Sequence, residues 1–240
     1  MKIVLITGAN KGIGFETAKQ LAQAGYFVYL GSRDQKNGKE AVRKLKDAGV
    51  ENVDSLLIDV TDDGSVRKAK QELEGKIDAL DILINNAAIA GDLPQEFAAG
   101  KLENLRAIFE TNFFGVIRVT QEFLPLLKKS KQPAILNVSS EVGSLAAHTA
   151  AERNPNRARF HAYGSSKTAL NGFTVMLANE LSDIGISVNS VTPGYTATDL
   201  NQFQGIKTAE QGAAAIVHLA KNPVPPGTAR FFNDGGEVAW

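Results

Sequence analysis

Ile3-Val4-Leu5-Ile6-Thr7-Gly8-Ala9-Asn10-Lys11-Gly12-Ile13-Gly14 is the stretch whose reading decides the fold. Its first four residues form a short apolar run of the kind that becomes a buried strand. The run is too short to be the core of a signal peptide. It passes directly into a turn carrying Gly8, Gly12 and Gly14, and residues 15–24 then follow a helical pattern closed by Gly25. Glycines let the backbone turn tightly and come close to a ligand, and the free amides and dipole at a helix start favour an anion. A nucleotide phosphate therefore suits this turn, although a glycine-rich strand-to-helix turn can also be purely structural. The spacing is neither a Walker motif nor the Gly-x-Gly-x-x-Gly fingerprint.

Outward from this turn, residues 3–7, 26–30, 54–58, 81–85, 134–139 and 186–191 read as strands separated by amphipathic helical segments. Such alternation implies right-handed crossovers and a mostly or wholly parallel sheet covered on both faces. The expected class is α/β, doubly wound, with residues 1–240 forming one domain, since no linker, repeat or low-complexity tract divides them. Lys plus Arg and Asp plus Glu balance at 26 each. That balance gives no footprint for nucleic acid or an anionic membrane, and a small-molecule partner is expected instead. The absence of cysteine excludes disulfides and thiolate chemistry and accords with a reducing cytoplasm. No apolar run could span a bilayer, so a soluble cytoplasmic protein is expected. His148, His161 and His218 lack metal-binding spacing, and no metal site is expected.

After the second expected strand comes Gly31-Ser32-Arg33-Asp34, with neutral residues where an NAD-binding fold usually presents an acid. Arg33, together with Lys11, suits an adenosine 2′-phosphate, which favours NADP(H) over NAD(H). As an alternative, both are solvated surface cations. Asp59 suits the adenine amino group or a helix cap, and residues 82–88 run from a strand into a loop of small residues. Tyr163 and Lys167, four apart in an expected helix, point from one face. A nearby ammonium would lower the phenol's pKa and make Tyr163 a usable proton donor. On its own, however, the pair also fits an ordinary helix surface.

The order Thr7-Gly-x-x-x-Gly-x-Gly14, Asn85-Asn-Ala-Ala88, Asn112, Ser140, Tyr163-x-x-x-Lys167 and Pro193-Gly194 resembles the short-chain dehydrogenase/reductase family, in particular its carbonyl reductase-like members. Ala88 departs from the glycine common in that family. The resemblance implies a Rossmann-type domain with Asn112, Ser140, Tyr163 and Lys167 as catalytic residues. Asn112 would support a water-linked relay to the lysine, and the choice of Ser140 over Ser139 rests on the family pattern. The cofactor-binding set would comprise Gly8, Asn10, Lys11, Gly12, Ile13, Gly14, Arg33, Asp59, Val60, Asn86, Ala87, Tyr163, Lys167, Pro193, Gly194, Thr196 and Thr198.

Residues 141–162 read as an extended loop before the tyrosine, similar in kind to the insertion of monomeric carbonyl reductases. A monomer is therefore expected over the family's common dimers or tetramers. Residues 195–207 read as a mobile substrate flap, and Ala90, Val142, Tyr195 and Phe203 as an apolar substrate wall. The expected activity is NADPH-dependent reduction of a ketone or aldehyde. The alternatives are an alcohol dehydrogenase, a ketoacyl reductase, or a dinucleotide-sensing or interaction protein without catalysis.

Overall fold

The computed structural model describes residues 1–150, 160–222 and 228–240. Strand β1 (Ile3–Ile6) places Val4 and Ile6 on one side of a sheet and Leu5 on the other, all three fully buried. This is the period-two alternation of a strand covered on both faces. On the first face, Val4 and Ile6 pack with Ala18 and Leu21 of α1 (Gly12–Gln23) and Ile216 and Leu219 of α8 (Ala209–Lys221). On the second, Leu5 packs with Phe123 and Leu126 of α5 (Gly115–Leu127) and Leu177 of α7 (His161–Glu180).

Eight strands follow the order β3-β2-β1-β4-β5-β6-β7-β8. They are β1, β2 (Phe27–Ser32), β3 (Val53–Leu57), β4 (Ile82–Asn85), β5 (Ala134–Val138), β6 (Ser187–Val191), β7 (Phe231–Asn233) and β8 (Gly236–Glu237). All pairings through β7 are parallel, as expected; β7 and β8 close the sheet as an antiparallel hairpin. The second strand runs beyond the expected residue 30 because Gly31 and Ser32 pair in register with Leu56 and Leu57. The remaining helices are α2 (Gln35–Asp47), α3 (Asp63–Glu74), α4 (Leu102–Phe109) and the short α6 (Leu145–Thr149). Among the described residues no helix is long and apolar enough to cross a membrane.

Strand order reverses between β1 and β4, which opens a crevice beyond their carboxyl ends, the usual ligand position in an open α/β sheet. A buried polar ladder sets the register just beneath it. The Asn85 side chain donates to Asn137 Oδ1 at 2.9 Å, and Asn137 donates to Thr174 Oγ1 at 2.9 Å. Thr174 in turn bonds Ser190 Oγ at 2.9 Å. Asn85, Asn137 and Ser190 lie at matching positions on three neighbouring strands, so slipping any one of them would strand buried polar groups at a cost of about 1–3 kcal/mol each.

Candidate active site

The glycine turn is fastened to the loop after β4. Thr7 Oγ1 accepts the N–H groups of Asn86 and Ala87, both at 3.0 Å. Asn86 Nδ2 donates to the carbonyls of Thr7 at 2.8 Å and Gly8 at 3.1 Å. Two of the glycines permit this close approach. A Cβ on Gly8 would lie 2.8 Å from Ala87 Cα, and one on Gly14 would lie 2.5 Å from Asn86 Nδ2 and 2.8 Å from the Gly8 carbonyl oxygen. Gly12 opens α1 with φ +60° and faces the Thr198 methyl, 3.6 Å from where its Cβ would be.

Lys11, preceding α1 in extended conformation, provides no side-chain cap. The first-turn amides are thus left to an incoming anion. By contrast, Asp34 caps α2 by accepting the Asn37 N–H at 2.7 Å, and Asp62 likewise caps α3 through Ser65. A tight glycine cradle, an uncapped helix start and the strand-order reversal together fit the pyrophosphate of a dinucleotide. Asn10 and Ile13 lie within this turn, and the Lys11 ammonium is 3.3 Å from Asp199 on the far side of the crevice. Arg33 is exposed at the end of β2. Asp59 Oδ1 accepts Thr61 N at 2.9 Å and Oγ1 at 2.7 Å, while Val60 is buried beside Gly115.

Across the crevice, the single turn Glu141–Gly143 after β5 presses against α7. A Cβ on Gly143 would lie 2.7 Å from Lys167 Cβ, and one on Gly164 would lie 2.8 Å from the Val142 carbonyl oxygen. This contact brings Ser140, partly exposed, beside the Tyr163 side chain, near enough for its hydroxyl to favour the phenolate. Lys167 lies beneath, its Nζ 5.7 Å from the Tyr163 ring centroid and donating to the Val138 carbonyl at 2.8 Å. Three of the four expected catalytic side chains therefore meet.

The expectation that Lys167 lowers the phenol's pKa requires correction in this geometry. Although Tyr163 is only partly buried, desolvation pushes it up to about 12, with Ser140 pulling the other way. Burial likewise pulls Lys167 down to about 7. Burial disfavours the charged form of both groups, and this sets the direction of both shifts.

Asn112 stands on the long helical stretch that runs from α4 into α5. It lies fully buried in a wide π-helical turn, Glu110–Phe114, between α4 and α5, a distortion frequent at functional sites. Its Oδ1 accepts the Ile89 N–H at 2.9 Å, and its Nδ2 donates to the Ile89 carbonyl at 3.0 Å and to Ser166 Oγ at 3.1 Å. Ser166 Oγ donates to the Tyr163 carbonyl at 2.7 Å. Asn112 thus links the loop after β4 to the tyrosine's helix. These hydrogen bonds run to Ile89 and Ser166 and not to Lys167.

Pro193 and Gly194 follow β6, Gly194 with φ +74°. Buried Thr196 donates to their carbonyls at 3.2 and 3.3 Å. Residues 195–207 form a lobe closed by a Thr196–Lys207 bridge and by Asn201, which bonds the Thr196 carbonyl and the Thr198 N–H. Lys207 ties this lobe to Asp234 at 2.8 Å. Of the expected substrate wall, Tyr195 and Phe203 are exposed on the lobe, while Ala90 and Val142 are half-buried. Residues 151–159 of the expected extended loop lie outside the described residues. Sequence reasoning left Thr7 without a role, although it stands inside the motif, and it missed Gln95, which no local pattern marks. Among the described residues no cluster of metal-binding side chains occurs.

A family model described as short chain dehydrogenase matches residues 2–208. The chain is 38% identical to the short-chain dehydrogenase anuI of Penicillium roqueforti, with 93% of this chain and 90% of that protein aligned. It is 34% identical to (+)-neomenthol dehydrogenase of Arabidopsis thaliana, with 92% of each aligned. The solved structure of salutaridine reductase from Papaver somniferum superposes with a TM-score of 0.85 at 30% identity, over 98% of this chain and 100% of that one.

Proposed function

The chain belongs to the short-chain dehydrogenase/reductase family, and on that premise we propose that it reduces a ketone or aldehyde to an alcohol with NADPH, Tyr163 donating the proton. The observation that carries this reading is the Tyr163 phenol set beside Ser140 with the buried Lys167 ammonium nitrogen 5.7 Å from its ring centroid. When bound, the dinucleotide supplies the hydride. A raised pKa keeps the Tyr163 proton in place at neutral pH until a carbonyl oxygen gains negative charge beside it. The Ser140 hydroxyl, aimed at the same point, hydrogen-bonds the developing oxyanion. Lys167 would hold the ribose hydroxyls of the dinucleotide and, when protonated, stabilises the phenolate left behind. Asn112 holds the loop and the helix that face each other across the substrate.

Gly8, Asn10, Gly12, Ile13 and Gly14 would hold the pyrophosphate, Asp59 and Val60 the adenine, and Asn86, Ala87, Pro193, Gly194, Thr196 and Thr198 the nicotinamide half. Preference for NADP(H) is supported by exposed Arg33 at the end of β2 and by the engagement of the neighbouring Asp34 carboxylate in capping α2. Lys11, beside Arg33 in this reading, would exchange its Asp199 partner for the 2′-phosphate. Half-buried Ala90 and Val142, with Tyr195 and Phe203 on the lobe, favour an apolar or aromatic carbonyl compound.

The test is a panel of aldehydes, aromatic ketones, quinones and acyl substrates, with dinucleotide oxidation followed by absorbance. Turnover with NADPH is expected at a kcat/KM about ten- to a hundredfold above that with NADH, the range of one or two charge-assisted hydrogen bonds. Equal values would remove the 2′-phosphate assignment, and silence across the panel would remove the reductase reading.

A further inference from the structure

Helix α7 begins without a cap of its own. Phe160 precedes it with φ −120° and ψ 48° and contributes no side-chain hydrogen bond. Yet the N–H of Tyr163, third in the helix and one of the donors that a cap normally satisfies, has a partner. It donates at 3.0 Å to Oε1 of Gln95, far away in the loop after β4. Gln95 is only 4% exposed. Its other amide atom, Nε2, donates at 2.7 Å to the carbonyl of Ala90, whose neighbour Ile89 is gripped at both backbone groups by Asn112.

We infer that Gln95 is a positioning residue, which caps α7 at the residue bearing the phenol and sets that residue against the substrate-side loop. Both ends of its amide are engaged, and one end acts on the backbone of Tyr163 itself. Removing the acceptor leaves a first-turn donor unsatisfied and frees the turn that holds the phenol against Ser140. Nothing at the glycine turn is touched. The effect should therefore fall on the chemical step and leave dinucleotide affinity alone. The inference rests on the reductase reading for its catalytic consequence, but the cap itself can be read independently.

The experiment compares Gln95→Met, which keeps the length and removes both hydrogen bonds, with Gln95→Glu, which keeps an acceptor for the Tyr163 N–H and loses the donor to Ala90. In Gln95→Met, kcat is expected to fall about tenfold, the order of a lost helix cap, with NADPH affinity unchanged. Hydrogen exchange at the Tyr163 amide should accelerate by a similar factor. Gln95→Glu should recover most of the lost kcat and the slow exchange. Unchanged kcat or exchange in Gln95→Met would overturn the inference, as would a Gln95→Glu variant no better than Gln95→Met. Loss of NADPH binding together with kcat would also overturn it, by making Gln95 a general structural prop. If the wild-type protein reduces nothing on the panel, the reductase reading falls, and amide exchange at Tyr163 alone decides the cap.

Discussion

Tyr163→Phe is expected to lower kcat for carbonyl reduction by roughly 10²–10⁴-fold, the usual range for a general acid, while NADPH affinity stays unchanged. The phenyl ring keeps its place above Lys167, whose Nζ lies 5.7 Å from the ring centroid and remains bonded to the Val138 carbonyl. Only the hydroxyl disappears, and with it the proton and the polar contact beside Ser140. The glycine turn, on the other side of the crevice, loses no contact. Binding measured by fluorescence titration and turnover measured by absorbance should therefore separate cleanly. Near-native turnover in the variant would exclude Tyr163 as the acid.

Gly14→Val should do the reverse and weaken dinucleotide binding. Its Cβ would stand 2.5 Å from Asn86 Nδ2 and 2.8 Å from the Gly8 carbonyl oxygen. The second of these is backbone and cannot rotate away, and the first is the amide that clamps the Thr7 and Gly8 carbonyls. Relief must come from opening the joint between the two turns. Overpacking of this kind costs about 1–3 kcal/mol, so the NADPH Kd should rise by about one to two powers of ten. Gly172→Ala on α7 is the control, because nothing lies within 4 Å of its added methyl. Unchanged affinity in Gly14→Val would place the dinucleotide elsewhere.

The layout of the sheet was legible because its signals are periodic and local. Val4, Leu5 and Ile6 alternate faces, and helical patterns separate the strands. The glycine turn and the Tyr163–Lys167 spacing were legible for the same reason, since each lies within a few consecutive residues. What could not be read depends on contacts between distant segments. Asn112 sits in residues that continue a helical pattern, and its hydrogen bonds to distant Ile89 and Ser166 leave no local mark in the sequence. Gln95 stands in an unpatterned loop, and its partner Tyr163 is remote in sequence. The direction of the Tyr163 shift was misread because Lys167 was visible as a neighbour four residues away, whereas the burial that sets it comes from the whole surrounding fold.

The central claim is that Tyr163 gives its proton to the carbonyl oxygen and takes it back in the reverse direction. Its pKa is raised to about 12, so the phenol holds its proton throughout the neutral range and is competent for reduction there. For oxidation of the product alcohol it must first lose that proton, and the ionised fraction grows with pH, by up to about tenfold per pH unit below the pKa. Lys167, pulled down to about 7, loses its charge as pH rises past that value, which favours the protonated phenol and moderates the slope without reversing it. The decisive measurement is kcat in both directions, from about pH 6 to about pH 9, on the best carbonyl substrate and its alcohol. Oxidation rising with pH while reduction stays level or declines is the predicted result. Oxidation that is flat or falls with pH, with reduction rising, would contradict it.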